Sequence, residues 1–410
     1  MKKWEKIFIA VNIIFILGCF CFYGYRAIHY YKLNLPNKSE NKLVDYILDN
    51  DSLVYKNDGL YQASTDNYYY KGTKVKNYVY YSGRIWRIVS IGDTIKLIAD
   101  ENQTSLVWGL NNNYNESLIK NYLENEYLNT LNKDLLSSST WCIDSVKLDN
   151  LTCDNKIESN IGLLSISDYL KSGGKDGFIN NKTYWWTINA SEEKVWYIFN
   201  DGGINDNIGT FNSYYSYGVR PVVNLKKDIV RYSGIGTIDD PFIIESTNNV
   251  LLKDNYVGSY VTYNNSNWRI LEKSDKGVKL ILDGVLEEKT YTEINSYLNE
   301  YIKDFDTKDL VKCDFETFDY SYDKKYSLKG TMESKYIGLP NISDLFINDY
   351  NDYWLNTKMG SLIYSTTDYS VLADTTNNKH KVRPVICLNN EIILKSGNGT
   401  KKNPLVIGEA

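Results

Sequence analysis

Apolar residues follow three patterns along the chain, and each predicts a different kind of element. Residues 7–23 are apolar apart from Asn12 and Gly18, which is typical of a helix within a membrane. Residues 116–136 and 293–305 carry apolar side chains at helical spacing. Runs rich in β-branched and aromatic residues, typical of strands, occupy 78–80, 85–91, 95–99, 184–189, 195–200 and 219–225. Strands, then helices, then strands predict an α+β fold with a largely antiparallel sheet.

The pattern of the last strand occurs twice. Residues 217–225 read YGVRPVVNL, and residues 380–388 read HKVRPVICL. The earlier Trp-Arg-Ile at 86–88 also returns, at 268–270, and the repeated stretches keep the same order along the chain. The repeat is much longer than the roughly 20–50 residues of a solenoid unit. It therefore predicts two tandem homologous domains with the same strand order.

The repeat and the apolar run divide the chain into four parts. We predict a cytoplasmic stub and transmembrane anchor over 1–25 and a stalk over 26–67, where a short helical pattern includes Leu43 and Ile47. The first repeat domain then covers 68–247, and the second covers 248–410. Each domain has a common size for a single hydrophobic core.

The N-terminal segment predicts attachment to a membrane. Lys2, Lys3 and Lys6 precede the apolar run, which favours a cytoplasmic N-terminus and an extracytoplasmic bulk. We interpret the run as an uncleaved signal-anchor, so that the chain crosses the cell membrane once. Residues 16–19 read ILGC and loosely resemble a lipoprotein cleavage box, which makes a lipid-anchored Cys19 the main alternative. A cleaved, secreted form is the third possibility.

Charge and motifs exclude several function classes. The net charge of −5 lacks the basic footprint of a nucleic-acid partner. The chain has two histidines, His29 and His380, too few for a histidine-rich metal site, and its histidines suit no Ser-His-Asp triad. No G-x-S-x-G or phosphate-binding loop occurs. The stretch NDGGINDN at 200–207 is rich in oxygen ligands, but a hairpin turn explains it better than a calcium site. We predict no cofactor.

Cysteines predict at least one disulfide. Cys142 and Cys153 lie in an insertion of the first copy, and a disulfide between them suits an extracytoplasmic location. A Cys313–Cys387 bridge is an open alternative. We prefer to interpret Cys387, on an apolar strand, as a small buried residue.

Residues common to both copies, despite the divergence of the copies, are predicted to serve the fold. Arginines that precede proline within apolar strands need a buried partner, a carboxylate or loop carbonyls. The recurring aspartates each mark the start of a helix, and the recurring tryptophans suit a core. These structural candidates are Trp86, Trp268, Arg220, Arg383, Asp168 and Asp344.

Residues found in one copy only are better candidates for ligand contacts. The last loops of the first copy are rich in aromatic and amide side chains, which suit sugars or peptides. The tentative binding residues are Trp186, Asn189, Asn200, Asn212, Tyr214 and Tyr215. We predict no catalytic residue.

The repeated motifs resemble a known set. Trp-Arg-Ile, Leu-x-x-Ser-Asp, Tyr-Trp-Trp and Gly-Val-Arg-Pro at 86–88, 164–168, 184–186 and 218–221 resemble an uncharacterised family of surface domains, mostly from low-GC Gram-positive bacteria. More remotely, the closing Gly-x-Arg before a strand is similar to formylglycine-generating-enzyme and C-type-lectin-like folds, which implies a C-type-lectin-like architecture. The family has no assigned activity. Formylglycine-generating enzymes depend on a cysteine pair near the end of the domain, where this chain has only Cys387.

Together these patterns predict a membrane-anchored surface protein whose tandem domains bind a wall, glycan or protein ligand without catalysis. An extracytoplasmic enzyme acting on a wall or surface polymer is the alternative. A deep cleft with convergent carboxylates would favour the enzyme, whereas shallow aromatic loops would favour binding.

Overall fold

A computed structural model describes residues 41–192, 194–206, 216–245, 249–319, 330–368 and 370–408. The predicted membrane anchor lies outside these ranges. Within them, no helix combines the length and the apolar character needed to cross a membrane.

Strands dominate both halves of the chain. The strands of the first half are β1 (Gly59–Ser64), β2 (Asn67–Lys71), β3 (Tyr78–Tyr81), β4 (Arg84–Ile91), β5 (Thr94–Ala99), β6 (Thr104–Leu106), β7 (Ser139–Cys142), β8 (Lys156–Ser159), β9 (Ile161–Leu163), β10 (Trp185–Ala190), β11 (Val195–Ile198), β12 (Ile204–Asn205), β13 (Tyr217–Val219), β14 (Pro221–Lys226) and β15 (Phe242–Ile243). Its helices are α1 (Leu43–Asn50), α2 (Leu118–Asn125) and α3 (Ile166–Lys171).

The second half has one α-helix, α4 (Ile294–Tyr301), among its described residues. Its strands are β16 (Tyr260–Tyr263), β17 (Ser266–Ser274), β18 (Gly277–Leu282), β19 (Glu288–Thr290), β20 (Cys313–Asp319), β21 (Thr331–Lys335), β22 (Ile337–Gly338), β23 (Trp354–Met359), β24 (Leu362–Thr366), β25 (Val371–Asp374), β26 (Lys379–Lys381), β27 (Val385–Leu388), β28 (Leu394–Ser396) and β29 (Leu405–Ile407). The predicted α+β class, mostly antiparallel with few helices, is confirmed.

The main sheet has the same strand order in both halves. In the first half the order is β15-β3-β4-β5-β14-β9, and β2 and β1 extend from β4. In the second half it is β29-β16-β17-β18-β27-β22, with β28 beyond β29. The register also agrees, because Val79 pairs with Trp86 and Val261 pairs with Trp268. The repeat in the sequence is therefore a repeat in topology.

The smaller sheets differ in how their parts join. The antiparallel set β10-β11-β12 corresponds to β23-β24-β25, and the pair β7-β8 corresponds to β20-β21. In the first half β13 and β6 join β10, whereas their counterparts β26 and β19 form a separate pair. In the second half β20 joins β23, whereas β7-β8 stays separate.

Both long helices are shorter than the hydrophobic spacing predicts. The cap of α2 is Ser117, whose hydroxyl accepts a hydrogen bond from the N–H of Lys120. After each helix the chain continues as short 3₁₀ turns. In the second half, Thr290 and Glu293 form a capping box at the start of the equivalent helix.

The prediction of a stalk over 26–67 is wrong for residues 41–67. Helix α1 buries Leu43, Val44 and Ile47 in the core of the first half, and the N–H of Leu43 donates to the carbonyl of Ile229. Strand β1 pairs with β2 along its length. An amphipathic helix needs an apolar surface to cover, and the first half supplies it.

The two halves pack directly against each other. The N–H of Phe346 donates to the carbonyl of Gln103 (2.7 Å). A Cβ atom on Gly83, where φ is +76°, would lie 2.5 Å from the carbonyl oxygen of Val257, so that glycine permits the close approach of the two backbones. One set of buried apolar residues runs through both halves.

The described residues contain two disulfides. The Cys142–Cys153 bridge confirms the prediction from the sequence. Cys313 and Cys387 are also bonded, with Cα atoms 5.9 Å apart. Cys387 is fully buried on β27, so the preferred interpretation of it as an unbonded apolar residue is wrong, although its burial was anticipated correctly. Burial alone does not distinguish a free thiol from half of a disulfide.

Candidate functional site

A groove of about 560 Å³ lies between the two halves. The first half contributes Tyr122, Glu126, Tyr127 and Thr130, at and after the end of α2. The second half contributes β17, β18, β20, β21 and the loop before β23. Its polar and charged lining residues are Glu272, Ser274, Asp275, Lys276, Lys279, Asp314, Glu316, Asn341, Ser343 and Asp344.

The two lysines of the groove are already paired. The ammonium of Lys279 lies 2.6 Å from the carboxylate of Glu272, and that of Lys276 lies 2.6 Å from that of Asp314. An ammonium that is held by one carboxylate neutralises its other neighbours less well. The groove therefore keeps an excess of negative charge.

Four further carboxylates of the groove, on Glu126, Asp275, Glu316 and Asp344, have no ion-pair partner among the described residues. Glu316 accepts a hydrogen bond from the N–H of Gly330 (2.8 Å), and Asp344 accepts one from the N–H of Asn341 (2.9 Å). An ionised carboxylate has about four acceptor positions and no donor. These groups can therefore accept further hydrogen bonds from the hydroxyl or amino groups of a ligand.

Asp344 has a different environment from Asp168, its counterpart in the first half. Lys96 donates to the carboxylate of Asp168 at 2.8 Å, and the hydroxyl of Ser165 donates to it at 3.0 Å. Burial acts to raise the pKa of Asp168, but Lys96 and Ser165 outweigh it and hold that pKa below its usual value. The carboxylate of Asp168 lies in the first turn of α3.

Burial raises the pKa of Asp344 to about 7. Lys279 acts in the opposite direction, and the nearby carboxylates of Glu272 and Glu316 add to the increase. Lys279 corresponds to Lys96 but is bonded to Glu272, so it stabilises the ionised form of Asp344 too weakly to reverse the effect of burial. The groove thus contains an acid that changes charge near neutral pH.

The structure places both shared tryptophans in the core. Trp86 and Trp268 are fully buried, and each indole N–H donates to the carbonyl of the residue five positions earlier, Tyr81 and Tyr263, at 3.0 Å. The two copies therefore use the same side chain in the same way.

The shared arginines bind backbone carbonyls. Arg220 donates to the carbonyls of Ala99 (3.1 Å), Asp100 (3.0 Å) and Ile179 (2.5 Å). It is fully buried, and burial lowers its pKa to about 10, so the guanidinium stays charged near neutral pH.

Arg383 makes corresponding contacts in the second half. It donates to the carbonyls of Leu282 (2.8 Å) and Phe346 (2.6 Å). Of the two kinds of partner that the sequence left open for these arginines, loop carbonyls predominate. The carboxylate of Asp349 is 3.8 Å from Arg383, beyond hydrogen-bond distance.

Two of the tentative binding residues are buried. Trp186 is 2 % exposed, and its indole donates to the carbonyl of Leu106 (2.8 Å). Asn189 is equally buried, and its side chain bonds to the N–H of Ile166 and the carbonyl of Cys142. This burial excludes both side chains from an exposed contact surface. Asn189 supports the insertion of the first copy through its bond to Cys142, whereas Trp186 packs in the core beside Trp108.

The remaining tentative binding residues lie at a turn and beyond it. Asn200 is half-buried in the turn between β11 and β12, where the N–H of Phe199 donates to the carbonyl of Gly203. The hairpin explanation of this stretch is thus correct. Asn212, Tyr214 and Tyr215 lie outside the described residues.

A second cleft, of about 580 Å³, lies wholly in the first half, beside the loop that Cys142–Cys153 closes. Its charged residues include Lys147 and Glu192, which are paired with each other at 3.0 Å. Trp196 lines it but donates its N–H to the carbonyl of Val146. Asp149, Lys194 and Asp206 also line this cleft and have no ion pair among the described residues, against four unpaired carboxylates in the groove. Because the groove has more such groups and draws them from both halves, we treat it as the candidate site.

Most residues of the groove were not predicted from the sequence to form a site. Asp344 was grouped with the structural residues because it recurs, and the acids around it were not singled out. One signal was present in the sequence: the strand partner of Lys96 is Ser90, whereas that of Lys279 is Glu272. Where one copy has a charged residue and the other copy has a small one at the equivalent position, the role of that position has changed.

Comparison with known proteins gives no identification. No protein-family model matches the chain, and no curated protein or solved structure matches it either. The resemblance to Gram-positive surface domains therefore stays a prediction. Among the described residues, no group of three or more histidine, cysteine or acidic side chains could hold a metal ion.

Proposed function

We propose that the chain is a membrane-anchored, extracytoplasmic surface protein that binds a wall or surface glycan in the groove between two copies of one domain. The proposal includes a single transmembrane helix over 7–23, an origin of the two halves by duplication and membership of the Gram-positive surface-domain family. The repeated topology supports duplication. Two disulfides support an oxidising location outside the cytoplasm.

The observation that carries the proposal is the set of unpaired carboxylates in the groove. Glu126 comes from the first half, and Asp275, Glu316 and Asp344 come from the second. Binding sites commonly lie where two domains meet, in clefts of a few hundred cubic ångströms with a few convergent polar groups. The volume of about 560 Å³ is within that range.

A glycan fits this lining better than an acidic or purely apolar ligand. Sugar hydroxyls donate hydrogen bonds, and ionised carboxylates accept them. The hydroxyls of Thr130, Ser274 and Ser343 and the amide of Asn341 add groups that both donate and accept. An anionic ligand would be repelled by the unpaired carboxylates.

A binding screen of the exported chain against wall fragments and neutral oligosaccharides tests the proposal. Glu126→Gln and Glu316→Gln should each weaken binding of the best probe by about tenfold, the effect of losing one hydrogen bond to a charged group. Glu192→Gln, in the second cleft, is the matched control and should leave the affinity unchanged. Loss of binding in the control with retention in the groove variants would assign the site to the second cleft instead.

A second candidate function, hydrolysis of the same glycan, is favoured by Asp344. An acid with a pKa of about 7 suits proton donation to a leaving group, and an ionised carboxylate such as Glu316 suits the second role in glycoside cleavage. Release of new reducing ends from wall glycan, abolished by Asp344→Asn, would establish the enzyme. Binding with no product after prolonged incubation would leave the binding function as the better account.

A further inference from the structure

The strand pair β17-β18 differs from β4-β5 at one position that faces the groove. Ser90 is the cross-strand partner of Lys96, and Glu272 is the cross-strand partner of Lys279. Both strands have a local shift of register just before this position. The backbones are therefore equivalent here, and only the side chain changes.

The change at this position redirects the lysine. With Ser90 beside it, Lys96 reaches Asp168 at 2.8 Å. With Glu272 beside it, Lys279 bonds to Glu272 at 2.6 Å, and no hydrogen bond joins it to Asp344. Since an ammonium prefers the nearer carboxylate, Glu272 competes with Asp344 for the same charge.

We propose that Glu272 makes Asp344 a proton-switched residue of the groove: it holds Lys279 away, so that Asp344 lacks the ion pair that keeps its counterpart Asp168 ionised. The proposal deepens the function given above and rests on the groove being the ligand site. It assigns a regulatory property to one residue of that site, because the ligand would meet a hydrogen-bond donor at pH 6 and a carboxylate at pH 8.

Charged groups approach Asp344 from each wall of the groove. The groups are Lys279 on β18, Glu272 on β17, Glu316 and Asp314 on β20, Asp275 and Lys276 in the turn between β17 and β18, and Glu126 after α2. Lys276 is bound to Asp314. Negative groups outnumber positive ones, so ionisation of Asp344 adds repulsion rather than completing a pair.

The proposed switch predicts how the affinity for a ligand changes with pH. A protonated carboxyl group donates one hydrogen bond, which an ionised one cannot do. A neutral N-acetylated oligosaccharide offers carbonyl and ring oxygens as acceptors, besides the hydroxyl donors that Glu126 and Glu316 accept. Its affinity should therefore be several-fold higher at pH 6 than at pH 8, and Asp344→Asn, which always donates, should remove most of the difference.

The decisive experiment needs no ligand. The carboxyl carbons of the full chain are followed by NMR between pH 4 and pH 9, with Asp344→Asn and Asp168→Asn used to assign the two signals. We expect Asp344 to titrate close to pH 7 and Asp168 below its usual range. Glu272→Ser should release Lys279 and lower the midpoint of Asp344 by about one to three pH units.

The reciprocal variant tests the same cause in the other half. Ser90→Glu should draw Lys96 away and raise the midpoint of Asp168, while leaving that of Asp344 unchanged. Glu272→Gln, which keeps the shape of the side chain, replaces Glu272→Ser if the serine variant fails to fold. A midpoint of Asp344 below pH 5 in the parent, or one that neither Glu272 variant moves, overturns the proposal.

The titration and the binding measurement together distinguish failure of the switch from failure of the proposed function. If Asp344 titrates as expected but the oligosaccharide and other wall probes bind at neither pH, the proposed function fails and the switch stands. If a probe binds in the groove with the same affinity at both pH values and Asp344 titrates below pH 5, the switch fails and the function stands.

Discussion

The two halves of this chain have the same strand order but put different chemistry on it. Trp86 and Trp268 donate the same hydrogen bond, and Arg220 and Arg383 both bind backbone carbonyls at the end of the central strands. Some differences between the halves face the groove or the contact between them, and others belong to the insertion that Cys142–Cys153 closes in the first half. Residues that make the same contacts in both halves thus serve the fold, whereas a recurring residue whose partner changes, such as Asp344, marks a change of role.

The contact between the halves illustrates this difference. In the first half, Thr104 and Ser105 on β6 are fully buried, and the hydroxyl of Thr104 donates to the carbonyl of Ile342 in the second half (2.7 Å). The corresponding strand of the second half, β19, carries an exposed Glu288 and a half-buried Lys289. Small hydroxyl side chains permit close packing, whereas charged ones resist burial. Strand β19 therefore does not offer the kind of close contact that β6 makes with the second half.

The disulfides offer the largest test of this comparison, because each half has one in a different place. Cys313 and Cys387 are separated by 74 positions, and Cys142 and Cys153 by 11. In the chain-entropy account, the longer loop is worth about 4.5 kcal/mol and the shorter about 3 kcal/mol. Replacing each pair by alanine and measuring urea unfolding should reproduce that order.

Equal losses for the two disulfides, or a greater loss for the Cys142–Cys153 pair, would contradict the comparison. That result would mean that the insertion of the first half contributes more to stability than its short loop implies. Unreduced mass spectrometry of the parent provides the control, since both pairs must be bonded before the variants are compared.

The shared arginines provide the next test. Arg220→Ala leaves three buried carbonyls without a donor, and we expect it to lower the free energy of unfolding by about 3–5 kcal/mol. Arg383→Ala, which loses two carbonyl partners and the hydroxyl of Tyr353, should cost a similar amount. Thermal and urea unfolding of the full chain measure both. An Arg220→Ala variant as stable as the parent that fails to bind glycan would make Arg220 part of the site.

The frame of the fold could be predicted because it depends on local patterns. Val79 and Trp86 lie on alternating apolar strands, and the spacing of such residues indicates strands directly. Their return in the second half fixed the pairing of the strands by analogy. The insertion near Cys142 and the helix at Leu43 were harder, because whether an amphipathic segment docks depends on a surface that folding creates.

The groove could not be predicted for a different reason. Glu126 and Asp344 come together only when the halves pack, and nothing in the spacing of residues specifies how two domains dock. Trp186 and Asn189 were chosen because they are unshared, but unshared residues also support an insertion or pack in the core. Burial distinguishes a residue that contacts a ligand from one that supports the fold, and burial cannot be determined from a single sequence.

A smaller effect is expected for the pH dependence of stability. Asp344 in the second half and Asp168 in the first have pKa values shifted in opposite directions, so their contributions depend on pH in opposite ways. The pKa of Asp344 in the folded chain is about 7, above its usual value of 3.8, so its contribution is fully present below pH 3.8 and is lost as pH rises through 7. Between pH 5.5 and 8 the parent should lose about 1–2 kcal/mol more than Asp344→Asn does, allowing for partial solvent exposure. Urea unfolding at the two pH values measures this difference.

Asp168 should behave in the opposite way. Its folded pKa lies below 3.8, so its stabilisation is present above that pH and is lost only as pH falls through the lower value. Asp168→Asn should therefore destabilise the chain throughout the range from pH 5.5 to 8 without changing the slope. A change of slope in Asp168→Asn and none in Asp344→Asn would reverse the assignment of the titrating group.

The smallest expected effect concerns the caps of the equivalent helices α2 and α4. Ser117 is buried, and its hydroxyl accepts from the N–H of Lys120 (3.0 Å) while donating to the carbonyl of Tyr114 (2.7 Å). Thr290 is partly exposed and exchanges hydrogen bonds with Glu293 at the surface, where water replaces a lost partner. We therefore expect Ser117→Ala to cost about 1–2 kcal/mol and Thr290→Ala about 0.5 kcal/mol, measured by urea unfolding. Equal losses would mean that burial of the cap contributes nothing, and that the two halves hold their helices in the same way after all.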